Sequence, residues 1–286
     1  MVALGFRLRR VGPDTLRHAL GIAEYHSPRS QMMREIANPT MLHDGSGMGA
    51  LMGCMSLFLA QDGFEGAPAI TVEAPEAAPY WADLGRKWTV MENYIKPYPI
   101  CRRAHAALDG LGQLMRDHAL VADDIVQIRV NTFQQAACLF AGMPETTSQA
   151  QYSLGFALAV QAVHGHIGPD HISGAGLRDA TVADILPRIV VSKYARHSSR
   201  FPTGRWSDVT LLFQDGRQLA SGDIHARGGP EAPMMLDEGE QKFHATSGDL
   251  SPQRKDAIWA MRDAMLRPDV PSRTLLALLH APSAPH

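Results

Sequence analysis

The apolar residues of this chain change their repeat twice, and that change constrains the fold more than any single motif. In "DTLRHALGIAEYH", Leu16, Ala19, Leu20 and Ala23 recur at helical spacing behind Pro13–Asp14, a favourable helix start. "GMGALMGCMSLFLAQDGF" is apolar nearly all round and rich in glycine, which predicts a buried helix packed closely on its neighbours and ended by Asp62–Gly63. Met32, Met33, Met48, Met52 and Met55 are expected to fill core. Residues 65–92 carry Pro68, Pro75 and Pro79 and read as a punctuated connection with one short helix. "AHAALDGLGQLMRDH" resumes the helical stripe through Ala106, Leu108, Leu111, Leu114 and Met115.

After Leu120 the repeat becomes two. Val126, Ile128 and Val130 alternate with Gln127, Arg129 and Asn131, which predicts a half-buried strand. "AQYSLGFALAVQAVHG" reads as a buried helix and "PRIVVSKY" as a short strand. "SDVTLLFQDGRQLASGDIHA" holds two alternating runs joined by Asp215–Gly216, the pattern of a β-hairpin. Helical spacing returns in "SPQRKDAIWAMRDAML", with Ser251–Pro252 as cap and first turn. The tail "APSAPH" is expected to fray. Helices, then mixed elements, then helices again imply an α+β chain, an all-helical unit joined to a smaller α+β unit.

Composition limits what such a fold can do. A 45% hydrophobic and 20% charged chain of 286 residues can bury a real core. Its net charge of −2 provides no global attraction for nucleic acid, so recognition of anions must be local. No apolar run is long enough for a membrane span, and Arg7, Arg9 and Arg10 interrupt the pattern of a signal peptide. Cys54, Cys101 and Cys138 are odd in number and widely spaced, which fits neither a disulfide framework nor a zinc motif. A cytoplasmic protein is expected.

The densest chemistry lies in "IKPYPICRRAH", Ile95 to His105. Pro97 and Pro99 hold themselves and the residues before them extended. Lys96 therefore loses little freedom on meeting a ligand. Arg102 and Arg103 can grip a carboxylate with parallel hydrogen bonds, and His105 can exchange a proton near neutral pH. Together they suit one wall of a pocket for a small polycarboxylate; a loop of solvated cations between domains has the same spacing. His43 in "PTMLHDGSG" can line a site with Asp44 orienting it, but the turn into a helix capped by Asp44 is the favoured reading. Gln149, Gln151 and Ser153 either donate into a cleft or cap the helix they begin. His164, His166 and His171 close a buried helix without a carboxylate or thiolate to complete a ligand set, so no metal site is expected. "GAGLRD" and "GSGMGAL" lack the strand and frame of nucleotide loops.

The segments "DTLRHALGIA", "MLHDGSGMGALMGCMSLFLAQDGFEG", "IKPYPICRRAHAALDGL", "AQYSLGFALAVQAVHGHIGPDHI" and "VTLLFQDGRQLASGDIHARGGPEAPM" resemble, in that order, segments of the MmgE/PrpD family. That family includes 2-methylcitrate dehydratase, cis-aconitate decarboxylase and iminodisuccinate epimerase. The resemblance implies a helical domain over 1–94, an α+β domain over 95–246, and helices over 247–286 returning to the helical domain. It implies a homodimer with no organic cofactor, acting on a small di- or tricarboxylate. Lys96 takes the place of the family's active-site lysine, with His105 and His43 as further catalytic candidates. Arg102, Arg103, Thr40 and Gln151 become candidate substrate-binding residues.

Two departures qualify this. The likeness begins at a mid-domain helix, as if the chain were shortened at its N-terminus. In Pro39-Thr40-Met41-Leu42-His43, Thr40 stands where the family has lysine, and Ser46 replaces a frequent arginine. Two expectations follow: a lyase or isomerase that abstracts a proton beside a carboxylate, or a truncated or split homologue, inactive alone, that binds a carboxylate or a separate chain supplying the absent helices.

Overall fold

A computed structural model describes residues 1–43, 45–248 and 250–282. Asp44 and the end of the tail, whose cap and fraying were expected from sequence, lie outside the described residues. The chain divides into two compact units, Met1–Glu92 and Asn93–His286.

The first unit is helical. Its longer elements are α1 (Val2–Arg9), α2 (Pro13–His26), α3 (Met32–Ala37) and α4 (Ser46–Gln61). Val2, Ala19, Ile22, Leu57 and Ala60 form the core where α1, α2 and α4 meet. The all-round burial expected of α4 is not what forms. Gly53, Ser56, Leu57 and Ala60 are buried, whereas Met48, Leu51, Met55, Phe58 and Leu59 are 37–57% exposed. The physical reason is geometric: α1 and α2 cover one side of a cylinder that is apolar on both. Met32 and Met33 are also open, at 50% and 38%. Methionine content thus reported apolarity, not burial. The 65–92 connection contains two single-turn helices, Ile70–Glu73 and Ala78–Trp81, rather than one.

The second unit is α+β. Its sheet runs β2 (Ile189–Lys193), β1 (Gln127–Thr132), β3 (Trp206–Leu212), β4 (Gln218–Ala220), with β5 (Ile224–His225) also on β3. β1 pairs parallel with β2 and antiparallel with β3, in a register that sets Val130 opposite Val209 and Thr132 opposite Ser207. Ile128, Val130, Val209 and Leu211 are buried on one face, as alternation requires. Val126 falls just before the strand and is 46% exposed. Thr132 and Ser207, buried on the same face, satisfy each other at 2.8 Å.

The expected hairpin forms at Asp215–Gly216, but its return strand breaks between β4 and β5. Ser221 explains the break: its hydroxyl accepts from the Val209 amide at 2.9 Å and displaces a ladder bond. Helix α5 (His105–Asp117) packs on β3, and α6 (Leu154–His164) packs on α5 and β2. α6 is buried along almost its whole length, as its unbroken apolar run predicts. Three further helices follow the sheet: α7 (Leu236–Thr246), α8 (Pro252–Ala264) and α9 (Ser272–His280). Ser251 caps α8 through the Arg254 amide, as its sequence predicts.

Candidate functional site

The segment from Tyr94 to His105 is anchored at both ends by backbone. The Ile95 amide donates to the Gly228 carbonyl at 2.8 Å, and the Cys101 amide to the Gln151 carbonyl at 2.8 Å. Gly228 has φ +95°, and a Cβ there would lie 2.2 Å from the Ile95 oxygen. At Gly229 a Cβ would lie 1.8 Å from Tyr94 Cε1. The glycine pair is what lets the Tyr94–Ile95 backbone and ring lie flush on this loop. Between the anchors, Pro97 and Pro99 stiffen the chain and Lys96 is exposed. The Lys242 ammonium of α7 donates to the Lys96 carbonyl oxygen. Burial, and then the positive charge of Lys96, hold Lys242 below the ordinary lysine range.

Tyr98 ties the segment to the unit's interior. Its hydroxyl donates to Asp109 on α5 at 2.8 Å, and Arg227 Nε reaches the same carboxylate oxygen at 3.0 Å. Arg227 also pairs with Glu238 on α7. Burial and the Asp109 charge raise the Tyr98 phenol well above its usual range. Burial pulls Arg227 down, but Asp109 and Tyr98 more than offset it, leaving the guanidinium firmly charged.

His105 is fully buried. Its Nε2 donates to the Ile100 carbonyl at 3.2 Å, and its ring meets the edge of Tyr98 with centroids 5.1 Å apart. Nδ1 has no partner. Burial is the main cause that lowers its pKa to about 3; Lys96, Arg102 and Arg227 add to it, against the Ile100 hydrogen bond. The imidazole is therefore neutral and closed to solvent at neutral pH, where the sequence suggested a group titrating there.

Arg102 is stacked on Tyr94, its guanidinium carbon 3.0 Å from the ring centroid. Its Nε and Nη2 are buried without a hydrogen-bond partner. Arg103 directs Nη1 towards Cys101 Sγ at 3.9 Å. Gln151 contributes its backbone carbonyl to the segment. Thr40 and His43 belong to the first unit. Thr40 Oγ1 accepts from the Leu42 amide at 3.2 Å, and His43, 42% exposed in its side chain, has Nδ1 3.9 Å from Glu35. Chain continuity and the Gln151 carbonyl thus gather Lys96, Arg102, Arg103, His105 and Gln151 in the second unit.

The glycine pair makes a direct prediction. In Gly229→Ala the Tyr94 ring must move, giving up its stack on Arg102 and its bond to Glu231, at a stability cost of about 1–3 kcal/mol. Arg102 loses its cover, so its modification by an arginine-specific dicarbonyl, followed by mass spectrometry, should rise above wild type. Unchanged modification would mean that Tyr94 does not shield Arg102.

Beside the segment lies a cavity of about 360 Å³ lined by Pro97, Tyr98, Pro99, His171, Arg227 and Lys242 among others. His171 stacks on His164, with centroids 4.6 Å apart, and meets His166 at 4.8 Å. These nitrogens already have work: His164 Nε2 pairs with Asp179 at 2.9 Å, and His171 Nδ1 accepts from the Gly168 amide at 2.9 Å. Burial, then the neighbouring histidines, lower the His171 pKa. Among the described residues, His197, Asp208 and Asp223 do come together at ligand spacing. Arg196 bridges both carboxylates and Arg200 pairs with Asp223 at 2.8 Å, so the negative charge is already answered by arginine.

Lys242 and Arg227 were not legible as site residues, because they meet Ile95–His105 only through folding; Tyr94 and Asp109 flank the segment, but their partners Glu231 and Arg227 come from far along the chain. The one local signal is Gly228–Gly229, where two adjacent glycines mark a close backbone approach. Residues 98–265 match the MmgE/PrpD C-terminal domain, a stretch that includes Tyr98, His105, Asp109, Arg227 and Lys242. No curated protein matches the chain. A match over more than half of its length, on the same segment that organises the site, shows that the chain belongs to the MmgE/PrpD family.

Proposed function

We propose that this chain acts as a lyase or isomerase of the MmgE/PrpD type on a small di- or tricarboxylate, held at the Lys96 segment. The observation that carries the reading is that the Lys242 ammonium sits on the backbone carbonyl of Lys96 and lines the cavity beside it. One ammonium sits on a proline-stiffened strand of backbone; the other is half-buried, electrostatically strained by the first, and opens on the cavity. Two cations that repel each other gain when an anion is bound beside them, so a carboxylate is the fitting ligand. Removing a proton beside that carboxylate builds negative charge, which fixed cations stabilise in the transition state. Dehydration, decarboxylation and epimerisation share this first step. His105, fully buried and bonded to the Ile100 carbonyl, supports the segment from beneath.

The test is turnover of 2-methylcitrate and cis-aconitate by the wild-type protein and by Lys96→Ala. Loss of one charge-assisted contact predicts a fall in kcat/KM of about ten- to a hundredfold. Equal turnover by the two proteins removes Lys96 from the site.

One observation favours a second reading, a homologue that works only with a partner. The exposed face of α4, Met48, Leu51, Met55, Phe58 and Leu59, is a continuous apolar stripe. If this reading holds, the isolated chain shows no turnover, and Leu51→Glu on that stripe abolishes association in sedimentation experiments. A monodisperse, active monomer excludes it.

A further inference from the structure

The cavity lined by Lys242 is also lined by two histidines, His166 and His171, on the turn that follows α6. The turn is stiff. Gly165 leaves α6 in the left-handed conformation, φ +72°, and a Cβ at Gly176 would lie 2.2 Å from the Asp170 carbonyl oxygen. The rings are held as well. His171 stacks on His164 and meets the edge of His166, and His164 is fixed in turn by Asp179.

Hydrogen bonds set the tautomer of each ring. The Gly168 amide donates to His171 Nδ1 at 2.9 Å, so that nitrogen carries no proton and the imidazole proton lies on Nε2. Burial, the main cause lowering the pKa of this ring, favours the same neutral form. His166 Nδ1 lies 3.0 Å from the His164 carbonyl oxygen, which can only accept. Nδ1 therefore carries the proton, and in the neutral ring Nε2 keeps a lone pair. Neither Nε2 has a hydrogen-bond partner among the described residues. The two rings thus offer the cavity one donor and one acceptor.

A hydroxyl group is the complement of that pair, accepting from His171 Nε2–H and donating to His166 Nε2. A second carboxylate is not: it has no proton to give His166, and Asp170 on the same turn repels it. Elsewhere on the lining, Glu238 is answered by Arg227, whereas Lys242 has no carboxylate partner among the described residues. The volume, about 360 Å³, suits a small metabolite.

We infer that this cavity takes a small hydroxy acid, with His171 and His166 reading its hydroxyl and Lys242 its carboxylate. The Lys242 end rests on the function proposed above; the histidine end is independent of it.

Calorimetric titration of the full chain with malate and with succinate tests the assignment, since these dianions differ only in one hydroxyl. Wild type should bind malate at least about tenfold more tightly. His171→Asn and His166→Asn each place an amide group where Nδ1 lies, keeping the bond to Gly168 or His164 while deleting Nε2. Each should bring malate down to the affinity of succinate and leave succinate close to its wild-type affinity. Lys242→Gln should weaken both acids by a similar factor and preserve the preference. Wild type that binds the two acids equally, or binds neither, overturns the inference, as does a preference that survives in both asparagine variants. If Lys242→Gln binds both acids as wild type does, the carboxylate reading of Lys242 fails, while the hydroxyl preference stands or falls with the histidines.

Discussion

Lowering the pH from 7 to 5 is expected to weaken the folding equilibrium roughly 25-fold through His105 alone, about 2 kcal/mol. The folded imidazole stays neutral down to about pH 3, whereas the ordinary value is 6.5. Between those limits the unfolded chain binds one proton more than the folded one. The stability contributed by the neutral ring is whole above pH 6.5 and is lost as pH falls towards 3. His171 and His225, also lowered, act in the same direction, so the effect must be isolated by comparison. His105→Gln keeps a donor for the Ile100 carbonyl but cannot titrate. Urea midpoints at pH 7 and pH 5 should show the variant losing about 2 kcal/mol less than wild type over that step. Identical pH dependence in the two proteins would show that His105 is not held neutral by burial.

The largest loss at neutral pH is expected from Asp109→Ala. Its carboxylate is 12% exposed and receives both the Tyr98 hydroxyl and Arg227. Removing it leaves a phenol without its acceptor and a guanidinium without its main counter-charge. Breaking a buried pair in this way costs about 3–5 kcal/mol; Arg227 is about a third exposed, which brings the expectation to the lower end, about 3 kcal/mol. Arg227→Gln should cost less by itself, and the double substitution less than the sum, by about 1 kcal/mol or more in a double-mutant cycle. Additive costs would mean that the two side chains act independently. Because Tyr98 is two residues from Lys96, the same variant should also loosen the Lys96 segment and weaken any carboxylate bound there.

These expectations show how unevenly the molecule could be read in advance. The helices α2, α5, α6 and α8, the strands β1 to β3, and the Asp215–Gly216 turn all follow from local spacing, which the backbone enforces within a few residues. The faces of α4 did not follow. Its sequence is apolar on every side, and periodicity carries no information about which side a neighbour covers. The split between β4 and β5 depends on Ser221 competing for the Val209 amide, a contact invisible in an alternating run.

The site divides along the same line. Stiffness of the 96–99 backbone and the presence of Lys96, Arg102, Arg103 and His105 beside it were determined by the sequence alone, because proline geometry and covalent adjacency act locally. Only tertiary structure decided what those groups became. It brought Lys242 to Lys96 across 146 positions. It buried His105 until the ring stays neutral down to about pH 3, and laid Tyr94 over Arg102 through two glycines that in sequence mark a close approach but not what approaches. Charge, burial and hydrogen bonding depend on what surrounds a side chain in space, and residues far along the chain supply those surroundings.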